Sequence, residues 1–417
     1  MRLEREQFAR ASQAVATDLA PVVSMGSSER VPVTPAVVAA DRRLRILHVF
    51  TRLSHGGMEH GVQKLVAGLD PSRFQHRVCV LRGCDSKVEG LELLQRDLLV
   101  APQAGRGAAS RILWLAKAMR SYRPHIVHSR NWGATEAILA AKLARVPAVI
   151  HSEHGYEIDM LSGLPWRRRF SRRVFYALTD AVFCVTNDLR DFHARQAWTN
   201  SDKIGVIYNA VDTGRFAPDA GARQATREKL ALGDAFTIGA VGRMVAIKDY
   251  DTLLAAISAV VLKGIEVRAL LVGDGPELPR LRRLVANSPQ LAGRVLWVGA
   301  SDVVPQLLNA MDVFVQPSLS EGMSNTVLEA MATGLPVLAT RTGGNPEIMV
   351  EGRYGWLFTP SDAKLLADQI QQLAVAPRMR QELGAAARGY VLEQFGLQRM
   401  LDSYTDLYLQ LASSGAD

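Results

Sequence analysis

Cysteine is scarce in this chain: Cys79, Cys84 and Cys184 are the only three among 417 residues. An odd number without CxxC spacing excludes a disulfide framework and a structural zinc site, and points to a reducing, cytoplasmic compartment. Long apolar runs are missing too. No stretch reaches the ~18 to 20 consecutive apolar residues of a membrane span. Residues 1–40 lack the continuous apolar segment of a secretory signal; their Ala, Ser, Pro and Val mixture reads as a mobile extension. No cluster of Asp, Glu and His has the spacing of a metal site, so neither metal nor cofactor is expected. The GxGxxG spacing of a dinucleotide loop is also absent, and Gly273-Asp274-Gly275-Pro276-Glu277 reads as a turn.

What is present is enough apolar mass, 48% of residues, for more than one core. Charge is uneven. Residues 1–217 hold 31 Lys/Arg against 20 Asp/Glu, while the rest hold 18 against 21. The first half is thus suited to something anionic, a membrane surface or a phosphate-bearing substrate.

Short β-branched runs alternate with helical patterns from residue 45 almost to the end. Strands are expected at Arg45–Phe50, His76–Leu81, His125–Ser129, Ala148–Glu153, Ala181–Thr186 and Ile204–Tyr208. A second set follows at Phe236–Val241, Arg268–Val272, Val295–Val298, Val313–Gln316 and Pro336–Thr340. Helix-length segments such as Gly133–Ala144, Tyr250–Leu262 and Asn325–Ala332 lie between them. Continuous apolar strands alternating with helices imply parallel sheets covered on both faces. The fold class is therefore α/β, with two doubly wound Rossmann-like domains facing across a cleft. The turn-rich stretch Asn209–Pro218 separates the halves. The organisation expected is an extension at 1–40, domains at 41–212 and 213–395, and a terminal helix at 396–417 packing back toward the first domain.

In such a fold the ligand sits in the crevice at the strand C-termini. The sharpest motif there is residues 316–347, QPSLSEGMSNTVLEAMATGLPVLATRTGGNPE. Glu321 follows a buried strand, and Glu329 lies eight positions later on a helix that starts at a Ser324-Asn325 cap. Gly322, Ser324 and Asn325 leave backbone N–H groups free where phosphate or sugar oxygens bind. Arg243 and Lys248, five apart after the strand Phe236–Val241, can both reach one pyrophosphate. Gly56 and Gly57 open a helix after the first strand and allow close backbone approach. His154 ends the strand Ala148–Glu153, and Asn131 and Arg130, after His128-Ser129, face a possible acceptor. Trp166–Arg173 (WRRRFSRR) is the densest basic run. It reads either as a solvated helix face or as an anchor to anionic lipid, without any nucleic-acid motif beside it.

Together these strings resemble the retaining, GT-B-fold glycosyltransferases of family 4. The match is the E-x7-E of Glu321 and Glu329 within EGMSNTVLEAMATGLPV, with Gly242-Arg243 and Lys248, although Asp249 replaces the usual glycine after that lysine. The segments Gly56–Val62 and Ser152–Gly155 resemble bacterial exopolysaccharide sugar transferases of exosortase/PEP-CTERM-associated clusters. The resemblance implies transfer of a sugar from a UDP- or GDP-sugar to a glycan or polyprenyl-diphosphate-linked acceptor. It implies catalytic roles for Glu321, Arg243, Lys248 and His154. Substrate-binding roles fall on Gly56, Gly57, Gly322, Met323, Ser324, Asn325, Thr326 and Glu329. Asp249-Tyr250-Asp251 spells the D-x-D of the other major sugar-transferase fold, but its place at a helix start reads as capping. The expected location is the cytoplasm, on the inner face of the membrane if Arg167, Arg168, Arg169, Arg172 and Arg173 meet lipid. Rival readings are a nucleotide-sugar epimerase on the same fold and a non-catalytic sugar- or nucleotide-binding protein.

Overall fold

A computed structural model describes residues 43–53, 56–84, 92–102, 107–156 and 163–414. The extension at 1–40 lies outside the described residues, as does the end of the terminal segment, 415–417. The first half contains β1 (Leu44–Phe50), β2 (Phe74–Val80), β3 (Leu99–Val100), β4 (Ile126–Arg130), β5 (Ala148–Glu153), β6 (Ala181–Cys184) and β7 (Gly205–Val206). They form one parallel sheet in the order β3-β2-β1-β4-β5-β6-β7. The second half contains β8 (Phe236–Val241), β9 (Val267–Val272), β10 (Val295–Val298), β11 (Val313–Gln316), β12 (Val337–Thr340) and β13 (Gly355–Phe358). Their order is β10-β9-β8-β11-β12-β13, again all parallel.

Both sheets are covered on both faces, as the near-continuous apolar strands require. Along β1, Leu47 and Val49 enter one core with Val127 and Val149, while Ile46 enters another with Ile126 and Ile150. That alternation is the period-2 geometry of a strand. The second core is closed by the helix Leu397–Ser414. It crosses back to the first half and buries Met400, Leu401, Tyr404 and Tyr408 against Leu65 and Phe74. The chain therefore passes between the halves twice, and the two crossings touch: Val211 N donates to Phe395 O at 3.0 Å, and Val211 bridges Gly396.

Strand order reverses between β1 and β4 in one sheet and between β8 and β11 in the other. At such a reversal neighbouring connections leave in opposite directions and open a crevice at the strand C-termini. The segments after β1, β4, β8 and β11 carry Gly56, Asn131, Arg243 and Glu321. The elements differ from expectation mainly at edges: β3 and β13 had no strand signal, Ile204–Tyr208 shrinks to Gly205–Val206, and the Gly133 helix begins as a 3-10 turn at Trp132–Ala134.

Candidate active site

The loop after β11 brings Glu321 to the crevice and fixes its carboxylate. Lys248 Nζ forms an ion pair with Glu321 Oε1, and Ser318 Oγ donates to the same oxygen at 2.7 Å. Neither Ser318 nor this use of Lys248 was signalled by the spacing. The turn is tight. Gly344 N donates to Gly322 O at 2.8 Å, and Gly343, at φ +52°, lies so close that a Cβ would strike Glu321 O. Ser324 then caps the helix Asn325–Ala332, its Oγ accepting from Val327 N at 3.3 Å. Glu329, half-buried on that helix, is raised above the usual carboxylate range by burial, with Lys64 and Arg215 pulling it back. Met323 is buried in the core, with its sulfur 3.1 Å from Asn209 N. Thr326 Oγ1 lies 3.2 Å from Ser324 Oγ.

Arg243, after β8, is exposed and makes no side-chain hydrogen bond or ion pair among the described residues. Its loop is held from behind, because Met244 N donates to Asp274 O at 2.8 Å and Glu277 N to Met244 O at 3.0 Å. The Gly273–Glu277 turn is thus a brace for the arginine loop. Asp249 caps the helix Tyr250–Leu262 by accepting from Thr252 N and Oγ1 at 3.3 and 2.6 Å. Asp251 is paired with Arg280. Both aspartates already have partners that use their charge locally.

The first half meets this loop directly. Asn325 Nδ2 donates to Gly57 O at 3.0 Å, across 268 positions of sequence. A Cβ on Gly322 would clash with the carbonyl oxygen of His154, so the Glu321 loop and the end of β5 are in backbone contact. Asn131 Oδ1 accepts from His154 N at 2.8 Å. The His154 ring is pushed down to about 3, by burial first and then by Arg130. Gly56 starts the helix Gly57–Gly68. Catalytic and substrate-binding candidates from both halves thus converge on one crevice. Glu347, in the same TGGNPE string, adds a cross-cleft clasp: its carboxylate accepts from Asn187 N at 2.8 Å, Asp188 N at 2.7 Å and Tyr208 OH at 3.1 Å.

Two expectations need correction. Arg172 does not face a membrane; it is fully buried in an ion pair with Glu153. Tyr176 OH donates to Glu153 Oε1 at 3.0 Å and His151 Nε2 lies 3.3 Å away. Burial opposes ionisation of Glu153, yet Arg172, His193 and His151 hold its carboxyl well below the usual range. A carboxylate at the end of β5 needs that internal cation. Arg130 likewise does not face an acceptor, being 1% exposed at the end of β4. The rest of the basic run divides. Arg167 and Arg173 are exposed, while Arg168 packs over Trp132 and Arg169 over Trp198.

Two parallel α/β domains facing across a shared crevice are the two-domain GT-B architecture, and here the crevice holds a carboxylate, two cations and a helix start. Residues 235–375 match the model for Glycosyl transferases group 1 and residues 55–215 that for Glycosyltransferase Family 4. The chain belongs to glycosyltransferase family 4. It is 32% identical over 270 residues to a GDP-mannose-dependent alpha-(1-6)-phosphatidylinositol monomannoside mannosyltransferase of Mycobacterium tuberculosis, covering 62% of this chain and 69% of that one. It is 30% identical to putative glycosyltransferase EpsF of Bacillus subtilis, over 70% and 78% of the two chains. An Escherichia coli UDP-Gal:alpha-D-GlcNAc-diphosphoundecaprenol alpha-1,3-galactosyltransferase is 26% identical over 72% of this chain and 79% of that one. Anabaena HepE, solved with UDP-glucose, shares the fold with a TM-score of 0.75 at 19% identity, over 88% and 99% of the chains.

Proposed function

We propose that this glycosyltransferase moves a sugar from a UDP- or GDP-sugar to a glycan or polyprenyl-diphosphate-linked acceptor, with retention of configuration, in exopolysaccharide or cell-envelope glycan synthesis. One observation carries the reading. The Lys248–Glu321 pair stands at the β8/β11 reversal, where Arg243, exposed and unpaired among the described residues, follows β8, and where the segment after Glu321 meets the first half through Asn325 on Gly57 O and Gly322 against His154 O. Arg243 and Lys248 supply positive charge where a departing nucleoside diphosphate develops negative charge, a task needing no metal. Glu321, already accepting from Lys248 and Ser318, orients the donor sugar's hydroxyls rather than attacking its anomeric carbon. Glu329, held toward its neutral form by burial, grips the ribose. With the Glu321 carboxylate engaged by Lys248 and Ser318, displacement on the same face, assisted by the leaving phosphate, accounts for retention. Contact between the halves excludes water from the reacting bond.

Relatives named for GDP-mannose and for UDP-Gal both match this chain, so both bases belong in the donor screen. A lipid-linked acceptor fits the surface of the first half. On the helix Trp166–Ala177, Trp166, Phe170 and Val174 are 66%, 54% and 39% exposed at positions i, i+4 and i+8, beside exposed Arg167 and Arg173. An apolar stripe edged by arginines suits the interface of an anionic bilayer, making the enzyme a peripheral membrane protein. The direct test is a thermal-stabilisation screen of UDP- and GDP-sugars. One base is expected to raise the midpoint in the wild type and to lose that effect in Arg243→Ala. Stabilisation by none of them counts against the proposal.

A further inference from the structure

Beneath the crevice lies a chain of buried polar groups that the transfer reaction, as described, leaves unused. It begins at Arg130, whose guanidinium stacks 5.3 Å from the centre of the Phe50 ring and pairs with no carboxylate among the described residues. Its Nη2 lies 3.1 Å from His128 Nδ1 and its Nη1 3.4 Å from His128 O. Tyr408 OH, from the terminal helix, approaches the same Nδ1 at 3.1 Å. On the other side of the ring, His128 Nε2 lies 3.0 Å from Ser152 Oγ, and Ser152 Oγ lies 3.0 Å from His154 Nε2. His154 Nδ1 is buried and has no partner.

The proton positions along this chain follow from donor and acceptor counting. A guanidinium has five N–H donors, no acceptor, and does not deprotonate in proteins. His128 Nδ1, facing it, must therefore be bare and accept. His128 is fully buried, and burial, followed by Arg130 and His48, keeps it neutral. Its single proton then sits on Nε2 and is donated to Ser152 Oγ. The serine has one hydrogen left to give, and the remaining partner is His154 Nε2. If that nitrogen also carried a proton, the buried serine O–H would have no acceptor, leaving a desolvated donor unsatisfied. His154 Nε2 is therefore bare, and its proton lies on Nδ1.

We infer that Arg130 is a positioning residue. It polarises the chain Arg130–His128–Ser152–His154 so that His154 presents a fixed Nδ1–H donor to the donor sugar in the crevice. Three bonds of defined direction thus convert a buried cation into the tautomer of the histidine beside Gly322. Burial, with Arg130 next, depresses the His154 ring to about 3, so the donor remains a neutral N–H at working pH. Tyr408 extends the same device to the terminal helix, which shields the arginine from water. The identity of the occupant rests on the proposed function; the tautomer does not.

Two-dimensional 15N NMR of histidine-labelled protein reads the tautomer directly, with His154 assigned by comparison with His154→Gln. In the ligand-free wild type, His154 Nε2 is expected in the range of a bare ring nitrogen and Nδ1 in that of a protonated one. Ser152→Ala removes the link with minimal change in volume and is expected to mix or reverse the two tautomers; Ser152→Thr restores the wild-type pattern. Arg130→Met is expected to act like Ser152→Ala, but the serine pair keeps the test open if that protein does not fold. In transfer assays Ser152→Ala should lower kcat roughly tenfold, the loss of one hydrogen bond, with Ser152→Thr recovering it. A proton on Nε2 in the wild type, or an unchanged His154 pattern in Ser152→Ala, overturns the inference. A wild type that shows the Nδ1–H pattern but turns over no nucleotide sugar refutes the proposed reaction instead.

Discussion

Lys248 ends the short 3-10 turn Ala246–Lys248 and spends its charge on Glu321, whereas Arg243, five residues earlier, has none of its charge committed. The two cations should therefore fail differently. Arg243→Ala removes charge from the leaving diphosphate and leaves the Glu321 carboxylate on Ser318, so turnover should fall by about 10²-fold with little change elsewhere. Lys248→Ala should cost a similar factor and also raise the donor KM, because Glu321 loses the contact that aims it. Steady-state kinetics of both variants check this, and equal donor KM values would count against the role given to Lys248. Chelator should leave the wild type unaffected, since Asp249 and Asp251 are used as a cap and an Arg280 partner. Activity lost in EDTA and restored by manganese would contradict that.

The helix Trp166–Ala177 shows how an element can invert the usual pattern. Its large apolar side chains Trp166, Phe170 and Val174 point outward, while Arg172 is turned inward to Glu153. The sequence shows five arginines and the apolar side chains Trp166, Phe170, Val174 and Phe175, but not which face is buried. That choice is made by Glu153, 19 positions away at the end of another strand. The membrane prediction changes accordingly. Trp166→Ser with Phe170→Ser should abolish sedimentation with anionic liposomes while leaving the protein folded. Arg172→Ser should unfold it, because an unpaired buried carboxylate costs about 3–5 kcal/mol. Undiminished sedimentation of the Trp166/Phe170 variant would sink the docking face. Elsewhere the elements were readable. Ala148–Glu153, Phe236–Val241, Val295–Val298 and Val313–Gln316 stand where their apolar runs place them. The two-residue β3 and the Gly-led β13 carry too little periodicity to be seen, and edge pairing decides them.

At the scale of the whole molecule, the halves are joined where the two chain crossings meet, where Asn325 touches Gly57, and where Glu347 clasps Asn187 and Asp188. The E-x7-E string and the Arg–Lys pair were legible because each lies within one strand-loop-helix unit. The cross-cleft contacts and the Arg130 chain were not, since they join residues from distant parts of the chain that only the packed sheets bring together. The packing also makes an acid-sensitive protein. His48, His128 and His193 are fully buried, and burial depresses all three rings, His193 to about 4. The unfolded chain takes up these protons below its ordinary value of 6.5 and the folded one does not, so stability falls as pH drops from there. Each proton contributes roughly 1.4 kcal/mol per pH unit at most, so the urea midpoint should fall steeply between about pH 6 and 4. A midpoint flat across that range would contradict the buried neutral histidines.

Sugar transfer itself is the measurement on which the account turns. A labelled donor chosen by the stabilisation screen is incubated with a polyprenyl-diphosphate-linked glycan, and both the extended acceptor and the released nucleoside diphosphate are quantified. Equal amounts of the two are expected in the wild type, near-complete loss in Glu321→Gln, and no conversion of the donor without acceptor beyond slow hydrolysis. Acceptor-independent conversion to a different nucleotide sugar, or transfer undiminished in Glu321→Gln, would contradict the proposed reaction.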